Sequence, residues 1–141
     1  MKNIFALILS VILLFYGSIF SHAQTPTVEL SVYDVAPCFE YTNTTATTLN
    51  ISSSGKATCV ASLNGYNGVT TKIVIKMTLQ KDSWLWWSTE ETWTTTINNC
   101  FGSLSKTKTV DSGTYRLKVE YTVYSGSNSE EITTYSQEAE F

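Results

Sequence analysis

The sequence predicts an all-β protein, an antiparallel sandwich of about seven to eight short strands. Three observations predict it. Apolar residues recur at every second position in several stretches, most cleanly as Tyr115, Leu117, Val119, Tyr121 and Val123 against Arg116, Lys118, Glu120 and Thr122. Turn-forming clusters such as Ser52-Ser53-Ser54-Gly55, Asn98-Asn99 and Ser125-Gly126-Ser127-Asn128 separate those stretches at roughly the 8–12-residue spacing of a sandwich. Beyond residue 23 no stretch carries a helical period, so no crossover helix is available to build a parallel sheet. The abundance of Thr, Val, Tyr and Trp, which suit a pleated surface, points the same way.

The chain opens on an expected secretory leader, residues 1–23. Lys2 supplies the positive end, Ile4 to Phe20 the apolar run, and Ser21-His22-Ala23 a small-x-small cleavage pattern, so the exported protein is expected to begin at Gln24. Residues 24–141 then suit a single domain with one core. Cleavage removes Lys2 and no acid, which moves the net charge from −3 to about −4. Without a basic stripe to release counterions, the composition argues against a nucleic-acid partner.

Taken in order, Val28 to Val35 alternates Val28, Leu30 and Val32 against Glu29, Ser31 and Tyr33 and reads as a first edge strand, ended by Pro37. Phe39 to Thr48 is Thr-rich without a clear period; Leu49 and Ile51 restore the alternation, which predicts a strand over Thr47 to Ser52. Lys56 to Leu63 is its hairpin partner, with Ala57, Cys59, Ala61 and Leu63 inward. Such small residues require bulk opposite them, from Tyr115 or Trp93. After the Asn64 to Gly68 loop, Thr71 to Lys81 buries Ile73, Ile75, Met77 and Leu79 as a central strand. Trp87 to Ile97 returns with Trp87, Thr89, Glu91, Trp93, Thr95 and Ile97 on one face. Phe101 to Val110 is a polar strand anchored by Leu104 and Val110, and Glu130 to Gln137 closes the sheet.

The lead into the longest strand, Asp111, Gly113 and Tyr115, resembles the tyrosine corner of immunoglobulin-type sandwiches, where the Tyr hydroxyl returns to upstream backbone. With the strand count, it implies an immunoglobulin-like, fibronectin type III-like domain. The stretches Gly55-Lys56-Ala57-Thr58-Cys59, Met77-Thr78-Leu79-Gln80-Lys81, Leu104-Ser105-Lys106-Thr107 and Gly113-Thr114-Tyr115-Arg116 further resemble a family of small secreted uncharacterised proteins of Gram-positive bacteria. That resemblance implies fold and export and adds nothing on chemistry. Two positions depart from the antibody pattern: Leu117 stands where the second cysteine would be, and Ile73 and Ile75 occupy the strand that would carry the core Trp. Apolar packing therefore replaces the inter-sheet disulfide.

Cys38, Cys59 and Cys100 are too many by one to pair within a single chain. The expectation is one bridge, its partners unassigned, with one thiol left over, or else a bridge between chains. The single His, His22, falls in the leader, so neither a zinc site nor a His-based triad is expected, and no cofactor is implied. Acid–base work would fall to Glu90-Glu91 or Glu130-Glu131, but neighbours on a strand point to opposite faces, and no enzyme activity is expected.

One feature asks for a function: Ser83-Trp84-Leu85-Trp86-Trp87. Trp87 and Trp93 share a face by parity and are expected in the core. Trp84, Leu85 and Trp86 sit at a hairpin tip, where they either fold back to cap the core or contact a carbohydrate, a membrane surface or another protein. The expected function is therefore a secreted, non-catalytic binding or surface-interaction module using this tip, with the Asn64 to Gly68 loop as an accessory. The alternative is a structural or disulfide-linked component of the cell envelope.

Overall fold

A computed structural model describes residues 38–141, which form two antiparallel sheets packed face to face. The expected leader, the edge strand Val28 to Val35 and the Pro37 stop lie outside the described residues. Eight strands follow in order: β1 (Thr42–Ile51), β2 (Lys56–Gly65), β3 (Lys72–Asp82), β4 (Trp87–Ile97), β5 (Phe101–Thr109), β6 (Thr114–Ser125), β7 (Asn128–Tyr135) and the short β8 (Ala139–Glu140). One sheet has the order β1-β2-β5 and the other β4-β3-β6-β7, with β8 pairing the first residues of β6 that β7 does not reach. The chain changes sheet between β2 and β3, again between β4 and β5, and again between β5 and β6, which gives the Greek-key connectivity of an immunoglobulin-like sandwich.

Alternation on β3 and β6 builds the core. Ile73, Ile75, Met77 and Leu79 register with Val123, Tyr121, Val119 and Leu117, and all eight are buried. Opposite them lie Ala57, Cys59, Ala61 and Leu63 of β2. The bulk that these small residues require comes from Tyr121 as well as Tyr115. The Tyr121 hydroxyl crosses between the sheets and lies 3.2 Å from both the Ala46 and Ser62 carbonyls, so the ring spans the gap and ties β6 to β1 and β2. Trp93, the other residue expected there, is only partly buried at the β4 edge.

Two sequence expectations need correction. The Thr-rich run that shows no period is the first half of β1, which starts at Thr42 rather than Thr47. Its inward side carries Thr45 and Thr47, half-buried hydroxyls that leave no apolar signature. The second concerns β4. Glu91 registers with Leu79 but Thr89 registers with Gln80, so Glu90 is an extra residue, a β-bulge. One added residue reverses the parity of everything before it. Trp93, opposite buried Met77, packs against the core, while Trp87, opposite Asp82, lies on the outer face with the Arg116 guanidinium 4.1 Å from its ring centre.

Candidate functional site

The β3–β4 hairpin ends in a four-residue tip, Ser83 to Trp86, and local bonds fix its shape. The Asp82 carboxylate accepts from Trp84 N–H at 2.8 Å, and Ser83 N–H donates to the Trp86 carbonyl at 3.0 Å. The Ser83 hydroxyl donates to Ser88 Oγ at 3.0 Å, and that hydroxyl donates on to the Lys81 carbonyl at 3.1 Å. Within this frame Trp84 adopts φ +69°, the left-handed region that a bulky residue enters only at a cost of about 1–2 kcal/mol. The tip does not fold back over the core. Trp84, Leu85 and Trp86 are 91%, 76% and 63% exposed, three adjacent large apolar side chains on a convex point.

Behind the tip, on the outer face of the five-stranded sheet, Arg116 lies between two rings. Its guanidinium carbon is 4.1 Å from the Trp87 ring centre and 4.7 Å from that of Tyr135, and its Nε donates to Gln80 Oε1 at 2.9 Å. The arrangement braces the base of the hairpin. Sequence parity hides it, because the bulge at Glu90 is what turns Trp87 outward. Lys108 of β5 holds that bulge from the other sheet, donating to the Glu90 carbonyl at 2.8 Å and to Glu91 Oε2 at 3.2 Å.

The corner residues come together at the same end of the sandwich. Tyr115 donates its hydroxyl to the Asp111 carbonyl at 2.7 Å. Gly113, at φ +151°, exchanges backbone bonds with Phe141, and a Cβ there would stand 2.6 Å from Lys81 Cε. The Asn64 to Gly68 loop lies at the opposite end, so it cannot join the tip in one site. It closes on itself and on the residue that precedes β1: Thr70 N–H donates to the Tyr66 carbonyl and Tyr66 N–H to the Tyr41 carbonyl.

All three cysteines are free in the structure. Cys59 sits mid-strand in the core, where burial pushes its thiol up to about 11. Cys100 is placed by its carbonyl, which accepts from Gly65 N–H, six residues further along β2 from Cys59. That separation is roughly 20 Å, far beyond the roughly 7 Å Cα limit of a disulfide. Cys38 precedes β1 at the same end, since Thr42 registers with Gly65. The expected bridge therefore cannot include Cys59.

Glu130, Glu91 and Glu120 each make separate structural contacts. Glu130 accepts the backbone N–H groups of Glu40 and Tyr41 at 2.8 and 3.1 Å, and Glu91 pairs with Lys108. Glu120 is held below the usual carboxylate range by hydrogen bonds first from Lys118 and then from Lys76. Among the described residues no group of three or more His, Cys, Asp or Glu is placed to hold a metal ion.

In comparison with known families, residues 27–141 match the domain of unknown function DUF4458. None of the curated proteins matches the chain.

Proposed function

The chain belongs to the DUF4458 family, and for it we propose an exported, non-catalytic attachment module that inserts its Trp84-Leu85-Trp86 tip into the apolar boundary of a membrane. One observation carries the reading: three contiguous large apolar side chains stand in water on a point whose backbone is strained to hold them there. A core-capping role would have buried the rings. A site for stacking a sugar would array flat rings beside hydrogen-bonding groups, whereas Leu85 separates the two Trp residues on a convex tip. Trp favours the level of lipid headgroups, and Ser83 to Ser88 contains no charge that insertion would have to desolvate. Export rests on the composition of residues 1–23, and a Gram-positive envelope on the resemblance noted from sequence. The non-catalytic reading rests on Glu91 and Glu130, whose carboxylates serve separate structural bonds rather than facing one another.

The test is co-sedimentation of the processed protein with zwitterionic phosphatidylcholine vesicles. Trp84→Ala with Trp86→Ala is expected to weaken vesicle binding at least tenfold and leave unfolding stability within about 1 kcal/mol. Vesicle binding unchanged by the double substitution, or a loss of several kcal/mol of stability, sinks the reading. Retention on envelope protein in place of vesicles, lost in the same variant, would replace the lipid with a protein cleft.

A further inference from the structure

We propose that the outer face of the three-stranded sheet carries a second binding site, a groove for a neutral saccharide built around Phe101, at the end of the domain remote from the tip. Strand register constructs it. Ala46 of β1, Ser62 of β2 and Ser103 of β5 stand side by side across the sheet, and two residues along, on the same face, stand Thr44, Asn64 and Phe101. The first row is a low floor of small side chains. The second is a rim that carries an aromatic ring.

These residues, with Ile97 at the end of β4 and Asn99 of the β4–β5 turn, line a groove of about 900 Å³, within the usual range for small-molecule sites. Beneath this end of the sheet, Gly102 faces inward opposite Leu63. It has no side chain, and Ile97 occupies the space that a Cβ would fill.

The lining chemistry selects the ligand class. Phe101 is 61% exposed, a free ring face against which the C–H side of a pyranose can pack. Around it stand short hydroxyls of Thr44, Ser62 and Ser103 and the amides of Asn64 and Asn99. The Asn99 oxygen is occupied by Cys100 N–H at 2.7 Å, so what Asn99 offers a ligand is its NH₂ group. No residue lining the groove is charged. The chain as a whole carries −3, which disfavours uronates and phosphorylated glycans. A smaller cavity on the other sheet, about 250 Å³ and lined by Lys76, Glu120 and Glu131, has the opposite character. An uncharged polyol matches the first of these and not the second.

The test is titration of the processed, isotope-labelled protein with three neutral hexasaccharides, the β-1,4-glucose, β-1,4-mannose and β-1,4-N-acetylglucosamine oligomers, and with hexagalacturonate. At least one neutral oligomer is expected to shift the amide signals of residues 44–46, 62–64 and 99–103. Phe101→Ala should weaken that binding about tenfold or more. Ser103→Leu, which fills the floor from an outward position, should abolish it with the rest of the amide spectrum retained. Trp84→Ala with Trp86→Ala should leave it unchanged, which separates this site from the attachment tip. Silence with all three neutral oligomers, binding indifferent to Phe101→Ala, or tighter binding of hexagalacturonate overturns the assignment.

Discussion

Trp87 and Trp93 are six residues apart on one strand and face opposite sides of the sheet: Trp93 packs on the core, and Trp87 stacks on Arg116 outside it. An even spacing on a regular strand would put both on one side. The extra residue at Glu90 separates them, and it thereby supplies the braced base from which the aromatic tip projects.

That bulge depends on a contact from the facing sheet, which can be removed without touching either tryptophan. Lys108→Met keeps the aliphatic stem and deletes the donor to the Glu90 carbonyl and the partner of Glu91. The group is partly exposed, so the expected loss is about 1 kcal/mol or less in urea unfolding. The diagnostic change is spectroscopic: the Trp87 indole N–H signal should shift and that of Trp93 should not.

The strain at Trp84 gives a prediction of unusual sign. Asn tolerates φ +69° far better than Trp, so Trp84→Asn is expected to stabilise the domain by about 1 kcal/mol while vesicle binding falls. Thermal unfolding and vesicle co-sedimentation on the same preparation read both effects. A destabilised variant would mean that the ring packs on the fold.

Tyr121→Phe deletes the hydroxyl shared by the Ala46 and Ser62 carbonyls. A loss of about 1–2 kcal/mol is expected, since a hydroxyl bond made in the interior is removed. The urea m-value should stay constant, because the ring still fills the gap.

Alkaline pH should destabilise the fold through two buried groups. Burial raises Cys59 from its ordinary 9.0 to about 11 and raises Tyr121 above its ordinary 10.0. In each case the folded state keeps its proton when the unfolded state has lost it. Stability is therefore flat below about pH 9 and falls as pH rises through 9 to 11. Cys59→Ala should remove the part of the fall that begins near pH 9 and leave the part that begins near 10. A pH–stability profile identical in the two proteins would place Cys59 in contact with water.

Thiol labelling checks the cysteine geometry. With native protein made without export, reduced and then freed of reductant, a disulfide reagent should modify exposed Cys38 first and Cys100 more slowly, and should reach Cys59 only with denaturant. On non-reducing gels of exported protein, any dimer band should disappear with Cys38→Ser or Cys100→Ser and persist with Cys59→Ser. A dimer lost with Cys59→Ser contradicts the burial of that thiol.

Much of this architecture was legible in the sequence because period-two alternation depends on the strand alone. The β3 and β6 core faces could be read residue by residue, as could the return of the Tyr115 hydroxyl to upstream backbone. Features set by a partner strand could not. The Glu90 bulge exists only relative to the register of β3, and it silently inverted the reading of Trp87. β1 is polar at half its inward positions because it is an edge strand, so its first half looked like loop. Whether Trp84 and Trp86 folded back or stood out was likewise undetermined, since nothing in six residues encodes the path of a tip. The only local hint was Asp82, two residues before Trp84 and suited to the turn it now holds. The Phe101 groove was invisible for the same reason as the bulge: its floor comes from three strands that meet only after folding.

The aromatic tip and the Phe101 rim occupy opposite poles of a stiff body whose central strand runs from Lys72 to Asp82. Eleven extended residues span roughly 35 Å, so the tip and the Phe101 rim lie about that far apart. If the tip and the Phe101 groove each hold a partner as proposed, the length of this strand fixes the distance between the two partners.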